Sequence, residues 1–258
     1  MHKLKIISAA SFCLLLLISL IIYLQPKPSL VADIPQVENA TEPVPDFKQF
    51  DDVTEKKQAF FDYLRPAVDA QNEYILRVRN YLQGLRAKLV AQEPLSDDQQ
   101  AEIDWLVEEY RVDTDQASLA ILDTLLRRID IIPAELVLVQ SANESAWGTS
   151  RFAVEGYNFF GMWCFVEDCG FVPRRRNEGA IHEVAKYDDL SSAMYSYMRN
   201  LNRHPAYTEL RAIRARLRNN QQEITAIKLA EGLSRYSERG EEYILELQQM
   251  IRINEELI

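Results

Sequence analysis

From residue 54 onward, apolar residues recur at helical spacing, and the pattern breaks for any length only once, between Gly161 and Tyr187. That interruption constrains the fold more than any other feature. Ile75, Leu82, Leu85 and Leu89 mark one apolar stripe, with Pro66 expected to break or kink its start. Ser96-Asp-Asp-Gln99 reads as a capping box ahead of Ile103, Leu106, Val107 and Tyr110, and Asp113-Thr-Asp-Gln116 repeats the signal before ASLAILDTLLRRI. Pro133 suits the first turn of a helix through PAELVLVQSANESAW, and Gly148 suits its end.

The interruption itself, CGFVPRRRNEGAIHEVAKY, has strand formers on either side of a turn at Asn177-Glu-Gly179. Helices resume at LSSAMYSYMRNLN, YTELRAIRARLR, EITAIKLAEGLSRY and EEYILELQQMIRIN. The expected class is mainly α (α+β): a lysozyme-like α-lobe with a small β-hairpin lobe, preceded by an N-terminal helical region.

The first residues bear on location. After Lys3 and Lys5 an uncharged apolar run extends from Ile6 to Leu24, about enough at 1.5 Å per residue to cross a ~30 Å hydrocarbon core. Basic residues before the run and an acidic chain after it predict an inside N-terminus and an outside bulk. The nearest small-residue cleavage pattern, Leu30-Val-Ala32, has a poor first member, which favours an uncleaved signal anchor over a cleaved peptide. The expected organisation is a signal anchor over 1–24, a Pro-rich linker over 25–50, a helical accessory region over 51–114 and a catalytic domain over 115–258. The expected location is the inner membrane with the domain in the periplasm, or secretion if the signal is cleaved. Nothing in 51–114 identifies a protein partner.

A net charge of −10 argues against nucleic acid as a partner, since phosphates demand excess Lys and Arg. Arg174-Arg-Arg176 stands out against it, as a solvated turn or as a meeting point for an anionic substrate. In an exported chain Cys164 and Cys169 read as a disulfide. Zinc would need further ligands, and His2, His182 and His204 are not spaced to supply them, so no metal and no cofactor are expected.

The chemistry concentrates in QSANESAWGTSRFAVEGYNFFGMWCF, residues 140–165. Glu144 falls in the last turn of its helix, where the macrodipole disfavours a second negative charge. Trp147, three residues on, would share its face and strip water from the carboxyl. Both effects raise the pKa and keep the acid protonated, ready to donate to a glycosidic oxygen. A glutamate on an exposed helix face would look the same in sequence, and local chemistry leaves both readings standing.

NESAWGTSRF followed by GYNFFG resembles the glucosaminidase motif of glycoside hydrolase family 73, which includes the hydrolase half of the flagellar rod-cap protein and many autolysins. The resemblance extends over roughly 115–258 through VAKYDDLSSAMYSYMRNLNRHPAY and GLSRYSERGEEY. With the Cys164/Cys169 pair, it is most similar to the membrane-associated Bax-type branch of Gram-negative bacteria. It implies an endo-β-N-acetylglucosaminidase that cuts the β-1,4 bond after N-acetylglucosamine in peptidoglycan glycan strands.

The resemblance also implies roles for particular residues. Glu144 becomes the catalytic acid and Tyr236 the cleft tyrosine. Trp147, Tyr157, Asn158 and Phe160 of the matching motifs, and Trp163 from the aromatic loop itself, are expected on the substrate side. Of the adjacent Phe159 and Phe160, one ring is expected to plug the core while its neighbour faces the cleft. The family's second acid sits before the hairpin turn, where this chain has FVPRRR. Glu183 on the returning strand, or Glu178 in the turn, is the candidate in its stead. Two carboxyls ~5 Å apart would imply a retaining route and ~6.5–9.5 Å an inverting one. A single acid would leave assistance by the substrate's N-acetyl group. A lytic transglycosylase and a non-catalytic wall-binding scaffold are the competing readings. The first lacks its G-L-M-Q and A-Y-N-x-G segments here, and the intact Glu144 beside Trp147 speaks against the second.

Overall fold

A computed structural model describes residues 31–173 and 181–258. The expected anchor, Glu178 and Arg174–Arg176 lie outside the described residues. Among the described residues no helix is long and apolar enough to cross a membrane.

Helix α1, Val53–Val90, is the longest element and runs unbroken through Pro66. Proline removes one backbone donor, but Phe60, Phe61, Leu64, Ala67 and Val68 on both sides of it are buried, and that packing holds the helix together. The Asp52 carboxylate opens it by accepting from the amides of Thr54 and Glu55.

Helix α2, Asp97–Glu109, opens on the expected capping box, with Ser96 and Gln99 bonded reciprocally. Helix α3, Ser118–Arg128, begins later than its signal: Asp113 caps the amide of Asp115 in a local turn, and no side chain caps the helix. Helix α4, Ala134–Ser145, starts after Pro133 and is buried along most of its length. Arg151–Gly156 forms the short α5.

A three-stranded antiparallel sheet follows: β1 Trp163–Cys164, β2 Gly170–Phe171 and β3 Glu183–Ala185, ordered β1-β3-β2. Trp163 pairs with Val184 and Cys164 with Glu183, while Phe171 also faces Val184. The β2–β3 pair is the expected hairpin, and β1 is a strand the sequence pattern did not disclose. Its two residues are too few for an alternation to register. Gly170 is required here, because a Cβ would lie 2.0 Å from the Val184 carbonyl oxygen.

Helices α6, Leu190–Arg203, α7, Thr208–Asn219, α8, Ala226–Ala230, and α9, Glu241–Ile253, complete the chain, with 3₁₀ turns at Pro205–Tyr207 and Glu231–Leu233. Helix α1 packs along α3, α4 and α6, and α9 packs on α4 and α8. Residues 34–258 form one compact unit. The architecture is mainly α with a small β-lobe, as expected.

The stretch expected to be a linker enters this unit. Ala40 and Phe47 are buried, Phe47 lies 5.3 Å from the Phe60 ring, and the amide of Leu190 donates to the Ala40 carbonyl. Proline-rich composition hid this because one buried phenylalanine generates no period.

Candidate active site

Helix α4 delivers Glu144 at its C-terminal turn. The last helical residue is Ser145, and Ala146, Trp147 and Gly148 then take positive φ in succession. Gly148 fits because a Cβ would meet the Phe47 ring at 2.5 Å. The Ser145 hydroxyl receives the Gly148 amide at 2.8 Å, closing the turn.

This turn sends Trp147 away from its helical position. Its ring meets Phe60 and Phe61 of α1 edge-to-face at 5.6 and 5.4 Å, with the Lys57 ammonium 5.2 Å from its centroid. Sharing a helix face with Glu144, as the i+3 spacing implied, requires a helix that continues, and this one ends first.

The side chain of Glu144 reaches solvent, and its Oε1 accepts from the Tyr243 hydroxyl at 2.8 Å. Gln140, one turn earlier on α4, donates from Nε2 to the same hydroxyl oxygen at 3.0 Å and accepts at Oε1 from Tyr197. A polar chain, buried up to its last member, therefore runs Tyr197–Gln140–Tyr243–Glu144, each hydroxyl with its direction fixed. Burial raises the Glu144 pKa above its ordinary value, while the Tyr243 bond and nearby Arg239 pull it down. The net shift is upward. Burial, Tyr236 and the Glu144 charge hold the Tyr243 hydroxyl far above its usual range, so it remains a donor.

Tyr236 stacks parallel to Tyr243, centroids 5.5 Å apart, and donates to the Phe160 carbonyl at 2.9 Å. Phe160 is 2% exposed and stacks on Tyr197 at 3.7 Å and 7°, and its neighbour Phe159 is fully buried. The expectation that one ring of this pair faces the cleft is not met, since both fill the core. Beneath them Asn158 is a buried pin: its Nδ2 donates to the Met162 and Ala185 carbonyls, and its Oδ1 accepts from Met162. Tyr157 takes a left-handed backbone and donates to the carbonyls of Thr41 and Glu42 at 3.2 and 3.0 Å.

In the β-lobe Trp163 is 56% exposed and stacks on His182 at 4.3 Å and 10°. Cys164 and Cys169 form a disulfide. Their sulfurs lie near the carboxylate of Glu183, but the disulfide leaves no thiolate to hold a metal. Glu183 is 4% exposed, and its Oε2 accepts the Gly170 amide at 2.8 Å, tying β3 to β2.

Sequence reasoning missed Gln140, Tyr197 and Tyr243. Two signals were present: Gln140 precedes Glu144 by one helical turn, and Tyr243 ends the quoted GLSRYSERGEEY. It also missed Glu246, one turn beyond Tyr243, which pairs with Arg239 and lies 3.5 Å from the Asn143 amide.

The family model described as mannosyl-glycoprotein endo-β-N-acetylglucosaminidase matches residues 120–256, more than half of the chain. The chain belongs to this glucosaminidase family. Protein bax of Escherichia coli strain K12 is 33% identical over 216 residues, covering 83% of this chain and 76% of that one. No solved structure matches. Membership makes this glucosaminidase a glycoside hydrolase, an endo-β-N-acetylglucosaminidase with peptidoglycan as its implied substrate.

Proposed function

We propose that this glucosaminidase cleaves the β-1,4 bond after N-acetylglucosamine in peptidoglycan with Glu144 as the general acid. The observation that carries the reading is the carboxyl itself: open to a ligand on one side, desolvated on the other, and aimed by Tyr243. A protonated carboxyl in that setting can donate to the departing glycosidic oxygen, a step commonly worth ~10²–10⁴-fold. Tyr243 steers one oxygen and leaves the other for the proton in transit.

For the second group we favour the substrate's own N-acetyl oxygen over Glu183. Glu183 is buried and bonded within the sheet, whereas an acetamido oxygen arrives with the substrate and requires no second carboxyl from the chain. Trp163, exposed and backed by His182, is the candidate sugar platform. Trp147, Tyr157, Asn158 and Phe160 contribute by holding the loops in place.

The apolar run 6–24 supports anchoring in the inner membrane with the hydrolase in the periplasm. Residues 51–114 belong to an accessory helical region whose α1 carries the packing behind Trp147. Mass analysis of fragments from sacculi digested by the protein tests bond and reaction together. Reducing-end N-acetylglucosamine is expected. Anhydro-muramyl ends would instead make it a lytic transglycosylase, and intact sacculi a scaffold.

A further inference from the structure

A cavity of about 640 Å³ lies between α1, α3 and α7, lined by none of the residues around Glu144. Its lining holds five arginines, 79, 127, 214, 216 and 218, against two aspartates. This excess of positive charge sits in a chain whose net charge is −10.

The five arginines are only partly neutralised by what surrounds them. Asp130, 3% exposed, accepts two bonds from Arg218 at 3.0 and 2.7 Å and also pairs with Arg79 at 3.5 Å. Arg214 is buried as well and spends its donors on neutral acceptors: the carbonyls of Asp130, Ile131 and Arg128 and the amide oxygen of Asn202. Burial lowers its pKa only to about 10, so it stays charged at neutral pH. The other aspartate, Asp123, is engaged by Arg86 at 2.5 Å. Arg127 and Arg216 are exposed and form no ion pair among the described residues.

We propose that this cavity is a binding site for a small phosphate-bearing ligand, a phosphoester of two or more negative charges attached to an organic group. Carboxylates supply one charge each, whereas a phosphate monoester supplies about −1.5 to −2 at neutral pH and three acceptor oxygens. Guanidinium forks match those oxygens in pairs. Leu126, Ala212 and Ala215 give an apolar wall for the organic part, and the volume lies within the ~300–1,000 Å³ of small-ligand sites. Two sources share this chemistry, a soluble sugar phosphate and a lipid headgroup released as its phosphomonoester.

The test is calorimetric titration of the full-length protein with pyrophosphate, glucose 1-phosphate and glycerol 1-phosphate, the last a phosphomonoester headgroup. The same titrations are made on an Arg127→Gln/Arg216→Gln double variant, which removes both charges without placing acids in the last turns of α3 and α7. Among the described residues neither side chain supports the fold through a hydrogen bond or ion pair, so melting and hydrolysis of sacculi should stay near wild-type values. Pyrophosphate is expected to bind the wild type and to bind the variant about tenfold or more weakly, with affinity falling as salt rises. Tighter binding of glucose 1-phosphate names the soluble source, and of glycerol 1-phosphate the headgroup; binding of pyrophosphate but of neither ester overturns the organic part of the proposal. Absence of pyrophosphate binding at millimolar concentration, or equal affinity in the two proteins, overturns the site.

Discussion

The hydroxyl of Tyr243 donates to the carboxylate of Glu144 at 2.8 Å, and the Gln140 amide behind it fixes the direction of that donation. The bond stabilises the anion and so opposes the burial that raises the Glu144 pKa. Tyr243→Phe should therefore raise that pKa further and move the alkaline limb of kcat/KM to higher pH, with the fold intact. A limb that stays put, or moves down, would separate the two residues functionally.

The same shift has a consequence for stability. A carboxyl whose folded pKa is raised favours the fold while protonated, and that contribution is lost as pH rises through the raised value. Glu144→Gln removes the loss, so at neutral pH the variant should melt no lower than wild type while hydrolysing sacculi about 10²–10⁴-fold more slowly. Turnover within a few-fold of wild type would remove Glu144 from the mechanism.

Glu183→Gln keeps an acceptor for the Gly170 amide. Turnover should change less than tenfold. A collapse of kcat with an unchanged melting temperature would instead make Glu183 the second catalytic group.

Phe160 carries a buried ring stacked on Tyr197, and its carbonyl receives Tyr236. Phe160→Ala should destabilise by about 3–5 kcal/mol, read from denaturant midpoints. A variant that melts normally but fails to bind glycan strands would return this ring to the cleft.

Phe47 tests how far the folded unit extends. It is 1% exposed and packs on Phe60 and Tyr63, so Phe47→Ala should cost about 3–5 kcal/mol by thermal or chemical unfolding. Unchanged stability would restore residues 34–50 to the role of a spacer.

The amino-acid sequence determined the helices, the hairpin, the disulfide partners and the family. Each of these rests on local periodicity, a short spacing or an ordered motif that survives in one dimension. Glu144 stood out for the same reason: its helix, its turn and its aromatic neighbours are contiguous. Tertiary structure decided which aromatic does what. Trp147 went to α1 because three residues of positive φ follow the helix, and backbone sign is not written in side-chain periodicity. Phe159 and Phe160 both entered the core, although adjacent residues on a regular strand would face opposite ways. The tyrosines that orient Glu144, Tyr197 and Tyr243, lie 57 to 103 residues along the chain from the Gln140 and Glu144 groups they bond, on helices that meet only after folding. The arginine cavity arose likewise, from α1, α3 and α7 converging on one carboxylate at Asp130.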